Sequence, residues 1–519
     1  MEKLDEEIGR EVSEKASYFE YRSHAGLSLA EYISAFNTPC SRFKLPLSWK
    51  THIELLAAAR IARSEVFAGM TALSQYQVPP SWQILLNYLF QVGVLASPHF
   101  QQRMFSNDLP KQYALSFACK FDSRLTDGRE VAFGGLGHSF DFEESLSKGI
   151  GEALERYFLT LYKKNSLVRG SCDSLRAKNR NILSLPDLNG YLPWQIEAQK
   201  HALARGEGAE FHWVEGIELL SKQRSYIPAQ LVFWNYDLTE SREPRLMDIT
   251  TNGGAGHFSV EEAILSALYE LVQRDGFLIF WLNSLTPPVL DVASIDDPDI
   301  ERMLEQFERY RLRAVFLDTT SDIEVPSCTC VVIDERGKEP TITLSAGTGF
   351  DPVKAILASA HEALVIQTSI SFREKYVLPN DYQSFSNSAA IGKAQRVSMW
   401  QGTAMLEKFN FFISGHHPLL AETRYMKAAR KFGSVQAELG AVRDMFRKKG
   451  RGYQVYYHAV RHPVLAAVGY HVVKVIVPQL MPLYLTEHRA TLDAIRLREV
   501  PQLLGYTATS LNPLPHPFP

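Results

Sequence analysis

The sequence predicts an α+β fold with helices packed on sheets, preceded by a small, mainly helical N-terminal module. Three observations carry that expectation. From about residue 111 onward, apolar alternating segments ("YALSFACKF", "AVFLDTT", "CTCVVID", "VVKVIVP") are interleaved with long helical patterns. The chain has 519 residues, more than one core accommodates, since single cores stop growing near ~250–300 residues. Its 45% apolar, 22% charged and 11% aromatic residues are those of an ordinary globular protein.

Residues 1–105 read as short helices interrupted by "TPCSRFKLPLSW" and "VPPSW". The second break opens the amphipathic stretch "WQILLNYLFQVGVL", which Pro79 and Pro80 start and Gly93 ends. A helix followed by a glycine turn and "VLASP" suits a winged-helix-like module, as it suits a small helical bundle. "SPHFQQRMFSNDLP" reads as the linker to a main domain over 111–519.

Several function classes are disfavoured. A net charge of −3 gives no electrostatic footprint for nucleic acid or anionic lipid. The longest apolar run, "FLIFWL", is far short of the ~20 residues that cross a bilayer, and "MEKLDEEIGR" has no apolar signal region. Five isolated cysteines do not make a disulfide framework, and a reduced, cytoplasmic setting is the expectation. Cys328 and Cys330 form a C-x-C without the second pair that tetrahedral zinc needs, inside a segment that alternates as a strand.

One pattern recurs. "GLGHSFDFEESLSKGIGEALERYF", "GAGHFSVEEAILSALYELVQRDGF" and "GTGFDPVKAILASAHEALVIQ" each open with G-x-G and enter a helix, and a glutamate follows 13 to 15 residues after the second glycine: Glu152, Glu270 and Glu362. None matches a dinucleotide fingerprint or a P-loop. In the second helix Glu262, Ser266, Glu270 and Arg274 recur at intervals of four, a polar stripe on an otherwise apolar helix. The first carries Glu144, Lys148, Glu152 and Arg156 in the same way, with Glu155 beside them. These also read as a solvated ladder of i,i+4 ion pairs, and Ser259 with Glu262 spells a capping box. Buried carboxylates need a partner or a cation, however, and carboxylates from separate helices are a natural magnesium site, which keeps waters and substrate phosphates as further ligands. The recurrence therefore points to a metal–nucleotide site without a P-loop.

At "GIGEALERYF" and "TNGGAGHFSVEEAILSALYELVQRDGF" the chain resembles the ATP-binding segments of YcaO-domain proteins, and "AILASAHEALVIQ" is a looser match to that family's third helix. The ending "LNPLPHPFP" resembles the proline-rich C-terminus of the subgroup that forms azoline rings, the cyclodehydratase D component. The resemblance covers roughly 111–519 and implies a YcaO-type fold and an enzyme that uses ATP and Mg2+. There, a Cys, Ser or Thr side chain of a ribosomally made peptide attacks the preceding amide carbonyl, whose oxygen is phosphorylated and expelled. Carried over by residue, it implies Glu152, Glu155 and Glu270 as magnesium ligands. Arg156, Glu262 and Glu362 join them around the nucleotide, and Arg274 touches phosphate. Gln273 in "ELVQRD" stands where the family has a second glutamate and brings no charge.

The tail, residues 511–519, alternates prolines as a semi-rigid rod. The resemblance implies that it enters the active site and places the Pro519 carboxylate beside the reacting backbone as a base. It also implies a precursor peptide as substrate, a leader-binding partner of the ubiquitin-activating-enzyme-like C type, a flavin-dependent dehydrogenase acting on the product, and a homodimer. Thioamide or amidine formation, and a non-catalytic nucleotide-binding scaffold, remain as alternative readings.

Overall fold

The computed structural model describes residues 78–518, apart from 103–111, 122–124, 127–130, 132, 189, 199–207, 338–339, 370–390, 392, 451 and 508–509. Most of the expected N-terminal module and the terminal Pro519 lie outside the described residues. The first described helix, α1 (Pro80–Gln91), starts at the expected proline pair, and Gly93 follows its end at φ +79°. Its Trp82, Leu86 and Leu89 share one core with Leu115, Phe117 and Ile150 of the following region, so this helix belongs to the main body.

Three antiparallel sheets follow. The first pairs the two-residue strand Gln101–Gln102 with β1 (Tyr113–Ala118) and β1 with β2 (Gly134–Ser139), which leads into α2 (Phe142–Thr160). The largest has β3 (Val168–Gly170), β4 (Phe211–Glu218) with β5 (Gln223–Pro228) beside it, and β6 (Gly254–His257), which leads into α3 (Val260–Leu282). The third is built from β7 (Leu312–Asp318), β8 (Ser327–Asp334) and β9 (Ile342–Thr348), which leads into α4 (Pro352–Ser369). Two later strands, β10 (Tyr456–Ala459) and β11 (His471–Ile476), complete the largest sheet in the order β3-β4-β10-β11-β6. All four segments read as strands in the sequence are strands. β8 is buried along its whole length, and Cys328 and Cys330 belong to its apolar core.

The glycine pairs differ from their reading as turns. Gly135 and Gly137 lie inside β2, and Gly254 and Gly256 inside β6. The reason is close strand–helix packing: a Cβ on Gly135 or Gly137 would stand 1.9 or 1.6 Å from the carbonyl oxygens of Gly149 and Ser145 in α2. Only glycine lets the strand approach the helix backbone so closely.

α3 is buried on most sides, with sixteen buried residues, and Glu262, Ser266, Glu270 and Arg274 are on its less buried stripe. Its C-terminal half packs Phe277 and Trp281 against Phe409, Phe412 and, from the tail, Phe518. At its other partner, the helix α5 (Ile495–Leu503), Arg496 binds Asp275 of α3 through Nε at 2.7 Å and Nη2 at 2.5 Å, and Asp322 at 2.7 Å. This charged cluster is buried and fully partnered, the condition under which buried ions are tolerated.

A pH dependence follows from His462, which caps the short helix Pro463–Val468 by accepting the Val464 N–H at Nδ1, 3.2 Å away. Burial, with Lys163 nearby, pushes its pKa down to about 3. The unfolded imidazole protonates near 6.5, so the stabilising contribution is complete above pH 6.5 and is lost as pH falls toward 3, by up to ~1.4 kcal/mol per pH unit. His462→Asn keeps a capping oxygen that does not titrate. Urea unfolding between pH 7 and 4.5 should therefore fall less steeply in the variant than in wild type; equal slopes would refute the assignment.

Candidate active site

Each sheet sends one strand–helix unit to a single cavity. The cavity has a volume of about 760 Å3 and is lined by Glu152, Glu155 and Arg156 of α2, Glu270 and Arg274 of α3, and Glu362 of α4. The three recurring glutamates are held alike, each by the strand that precedes its own helix or, for Glu270, by the residue just ahead of that strand. Glu152 accepts the Leu136 N–H at 2.6 Å, Glu270 accepts the Gly253 N–H at 2.7 Å, and Glu362 accepts the Ser345 hydroxyl at 2.5 Å. Gly253 presents that N–H from φ +76°, a conformation that glycine adopts freely. The shared anchoring explains the spacing seen in the sequence: the strand, the turn and two to three helical turns bring the carboxylate back alongside the strand, to Leu136 and Ser345 within it or to Gly253 just ahead of it.

The arginines are held in parallel too. Arg156 pairs with Glu152 at 2.5 Å, donates to the Gly134 carbonyl at 3.0 Å, and lies 5.7 Å from the Trp234 ring. Arg274 stands 3.8 Å from Glu270, and its guanidinium lies 3.9 Å over the Phe518 ring. Among the described residues, its buried Nε and Nη1 atoms have no hydrogen-bond partner. A buried donor left in this way calls for an acceptor that enters from outside, and the acceptor that suits a guanidinium best is a phosphate or carboxylate.

Two residues differ from their expected place. Gln273 is buried and donates to the Ala346 carbonyl at 2.6 Å, outside the set that lines the cavity. Its neutral side chain ties α3 to β9 and takes no charge away from the site. Glu262 is likewise not among the lining residues; its N–H donates to the Ser259 hydroxyl at 3.2 Å, the N-cap bond of the capping box, while its carboxylate accepts from that hydroxyl at 2.8 Å and pairs at 2.7 Å with His257, which does line the cavity. The outer end of the first stripe is the surface ladder of the plainer reading, with Glu144 and Lys148 paired at 2.7 Å and both well exposed.

Among the described residues, no group of three His, Cys, Asp or Glu side chains is placed to hold a metal ion. Glu152, Glu155 and Glu270 share one cavity but do not form a ready ligand set, because Glu152 and Glu270 each commit oxygens to the backbone and to an arginine. This suits magnesium, which is commonly held by one or two carboxylates plus phosphate and water rather than by an all-protein cage. Burial, with Glu270 and Glu152 adding to it, pushes the Glu155 carboxyl up to about 8. The orphaned guanidinium and the crowded carboxylates thus fit a ligand with an anionic and a cationic part, as ATP–Mg2+ has.

Sequence reasoning missed two residues here. Trp234 lines the cavity and stacks on Phe133 with ring centroids 3.7 Å apart. Lys474 of β11 is buried and donates to the Thr250 and Asn252 carbonyls at 2.8 and 2.5 Å. Burial depresses its amine to about 8, against the pull of Glu270 and Glu155. The signal was present in "VVKVIVP", where one lysine interrupts an apolar strand.

The tail reaches this site. Asn512 donates its N–H to the Leu282 carbonyl at 2.7 Å and its amide to the Trp281 carbonyl at 3.1 Å, satisfying acceptors at the end of α3. The Trp281 and Trp400 indoles donate to the Leu514 and Pro515 carbonyls at 3.1 and 3.0 Å. Prolines have no N–H to leave unsatisfied, so a segment that alternates them can be buried with only its carbonyls to partner. Phe518, fully buried, ends at Arg274.

Three carboxylate-bearing strand–helix units around one cavity, with a buried guanidinium facing it, fit an enzyme that binds ATP and Mg2+. Residues 136–481 match the profile of the YcaO cyclodehydratases, ATP- and Mg2+-binding, and the chain belongs to the YcaO family. An uncharacterized protein of the tfuA 3′ region from Rhizobium leguminosarum bv. trifolii is 25% identical over 354 residues, 66% of this chain and 76% of that one. Among solved structures, a heterocyclase in complex with substrate and cofactor is similar, with a TM-score of 0.63 and 20% identity, covering 84% of this chain. The chain spans 57% of that heterocyclase's length. YcaO from Methanopyrus kandleri bound with AMPPCP and Mg2+ matches with a TM-score of 0.52 and 16% identity, over 79% of this chain and 93% of that one. The chain is thus a YcaO-type ATP-dependent enzyme with ATP and Mg2+ as its cofactors. Among the described residues, no helix is long and apolar enough to cross a membrane.

Proposed function

We propose that this chain converts Cys, Ser or Thr residues of a ribosomally synthesised precursor peptide to thiazolines or oxazolines. The observation that carries the proposal is the meeting of the proline-rich tail with the carboxylate cavity at Arg274. A nucleotide-binding scaffold has no need of a proline-rich segment packed onto the guanidinium that faces the cavity. Gln273, the residue that favoured a scaffold, has a backbone partner instead.

In this reading the side-chain sulfur or oxygen of the peptide attacks the preceding carbonyl carbon and closes a five-membered ring. The carbonyl oxygen departs as inorganic phosphate, so the peptide loses one water per ring. Bound ATP supplies the phosphoryl group and Mg2+ neutralises its charge. Glu152, Glu155, Glu270 and Glu362 hold the cationic side of the ligand, Arg156 and Glu262 support the nucleotide through their partners, and Arg274 offers its free donors to phosphate. A leader-binding partner protein delivers the precursor.

The test is to measure phosphate release from ATP with precursor and partner present and then the peptide's mass. Loss of one water per phosphate released is the expected result. Exchange of oxygen for sulfur, or ATP turnover with an unchanged peptide, would overturn the proposal.

A further inference from the structure

Lys474 is a buried cation behind the floor of the cavity rather than in its lining. It stands opposite Gly254 in the β11–β6 register, and Gly254 is the residue whose absent side chain leaves room for Glu155: a Cβ there would come within 2.8 Å of Glu155 Oε1. The chain from Lys474 through Gly254 to Glu155 is therefore contiguous. Two of its three ammonium protons go to the Thr250 and Asn252 carbonyls, fixing the segment that forms the cavity floor ahead of Gly253, whose N–H anchors Glu270.

We infer that Lys474 is a built-in countercation: it holds the electrostatic place of a metal ion behind Glu155 and Glu270, so that Mg2+ binds well only together with the nucleotide's phosphates. The inference rests on the ATP–Mg2+ reading of the cavity. A fixed positive charge beneath the carboxylates repels a free divalent ion, while a triphosphate entering from the other side more than offsets that repulsion. Lys474 is thus a positioning residue. It sets the floor and the charge of the site without lining the cavity.

The sign of one measurement separates this role from a structural one. Binding of Mn2+ alone, followed by electron paramagnetic resonance, should tighten about tenfold in Lys474→Met, because a repelling charge has been removed. Binding of a non-hydrolysable ATP analogue without metal should weaken by a similar factor. If Lys474 only supports the floor, the variant binds Mn2+ more weakly or unchanged, and the inference is overturned. Should Lys474→Met not fold, the same comparison between Glu155→Gln and the double variant Lys474→Met/Glu155→Gln carries the same sign through Glu270. Failure of wild type to bind the Mn2+–analogue complex would instead overturn the ATP reading, and the countercation role with it.

Discussion

Glu270→Gln is expected to lower kcat/KM for ATP-dependent turnover at least ~100-fold while leaving the folded protein nearly as stable as wild type. The substitution keeps the shape and an oxygen that can still accept the Gly253 N–H. It removes only the charge. Glu270 is partly exposed to the cavity and its closest cation, Arg274, is 3.8 Å away, so the loss in folding free energy is small by comparison. The effect on turnover is large because the charge is needed where a cation-bound triphosphate is held. Thermal unfolding together with phosphate release checks both halves: a variant that is equally stable and still turns over at more than a tenth of the wild-type rate would remove Glu270 from the site.

Removing residues 513–519 should abolish turnover. The deletion takes away Phe518, fully buried among Phe277 and the aromatic core, and leaves the Trp281 and Trp400 indole N–H groups without the Leu514 and Pro515 carbonyls. Loss of a buried phenylalanine side chain alone costs about 3–5 kcal/mol, so truncation confounds stability with function. Phe518→Leu separates them. Leucine fills much of the same space but has no ring face for Arg274, whose guanidinium sits 3.9 Å from the ring centroid. The cation–π contact is worth about 1–2 kcal/mol when desolvated, and kcat should fall about tenfold while the ATP KM changes little. A leucine variant with wild-type kcat would show that the tail is only a structural strap.

Much of this site was legible in the sequence because its residues are spaced by backbone geometry. The 13-to-15-residue interval from glycine pair to glutamate is the length of chain that leaves a strand, enters a helix and comes back alongside that strand, as Glu152, Glu270 and Glu362 do. The stripe on α3 was legible for a similar reason, because a helix buried on most sides places its few polar residues on one face. What escaped depends on pairing between strands distant in the chain. Lys474 meets Gly254 only through the β11–β6 register, and Trp234 comes to the cavity from a loop that has no periodic signal. The turn of Gln273 toward Ala346 was hidden too, since its neighbour Arg274 points to a different face of the helix and sequence order cannot say which of the two meets the cavity. The glycine pairs were visible as motifs but not as strands, because the packing of α2 on β2 that demands them is a tertiary contact.

In the proposed reaction the proline-rich tail and the three glutamates surround one metal-bound nucleotide. Incorporating 4-fluorophenylalanine at position 518 and adding Mn2+ with a non-hydrolysable ATP analogue tests it most directly by 19F NMR. The fluorine resonance should broaden strongly with the Mn2+ complex and stay sharp with the Mg2+ complex. A resonance left sharp by Mn2+–nucleotide that demonstrably binds would place the nucleotide away from Phe518 and rule out a shared site for tail and nucleotide.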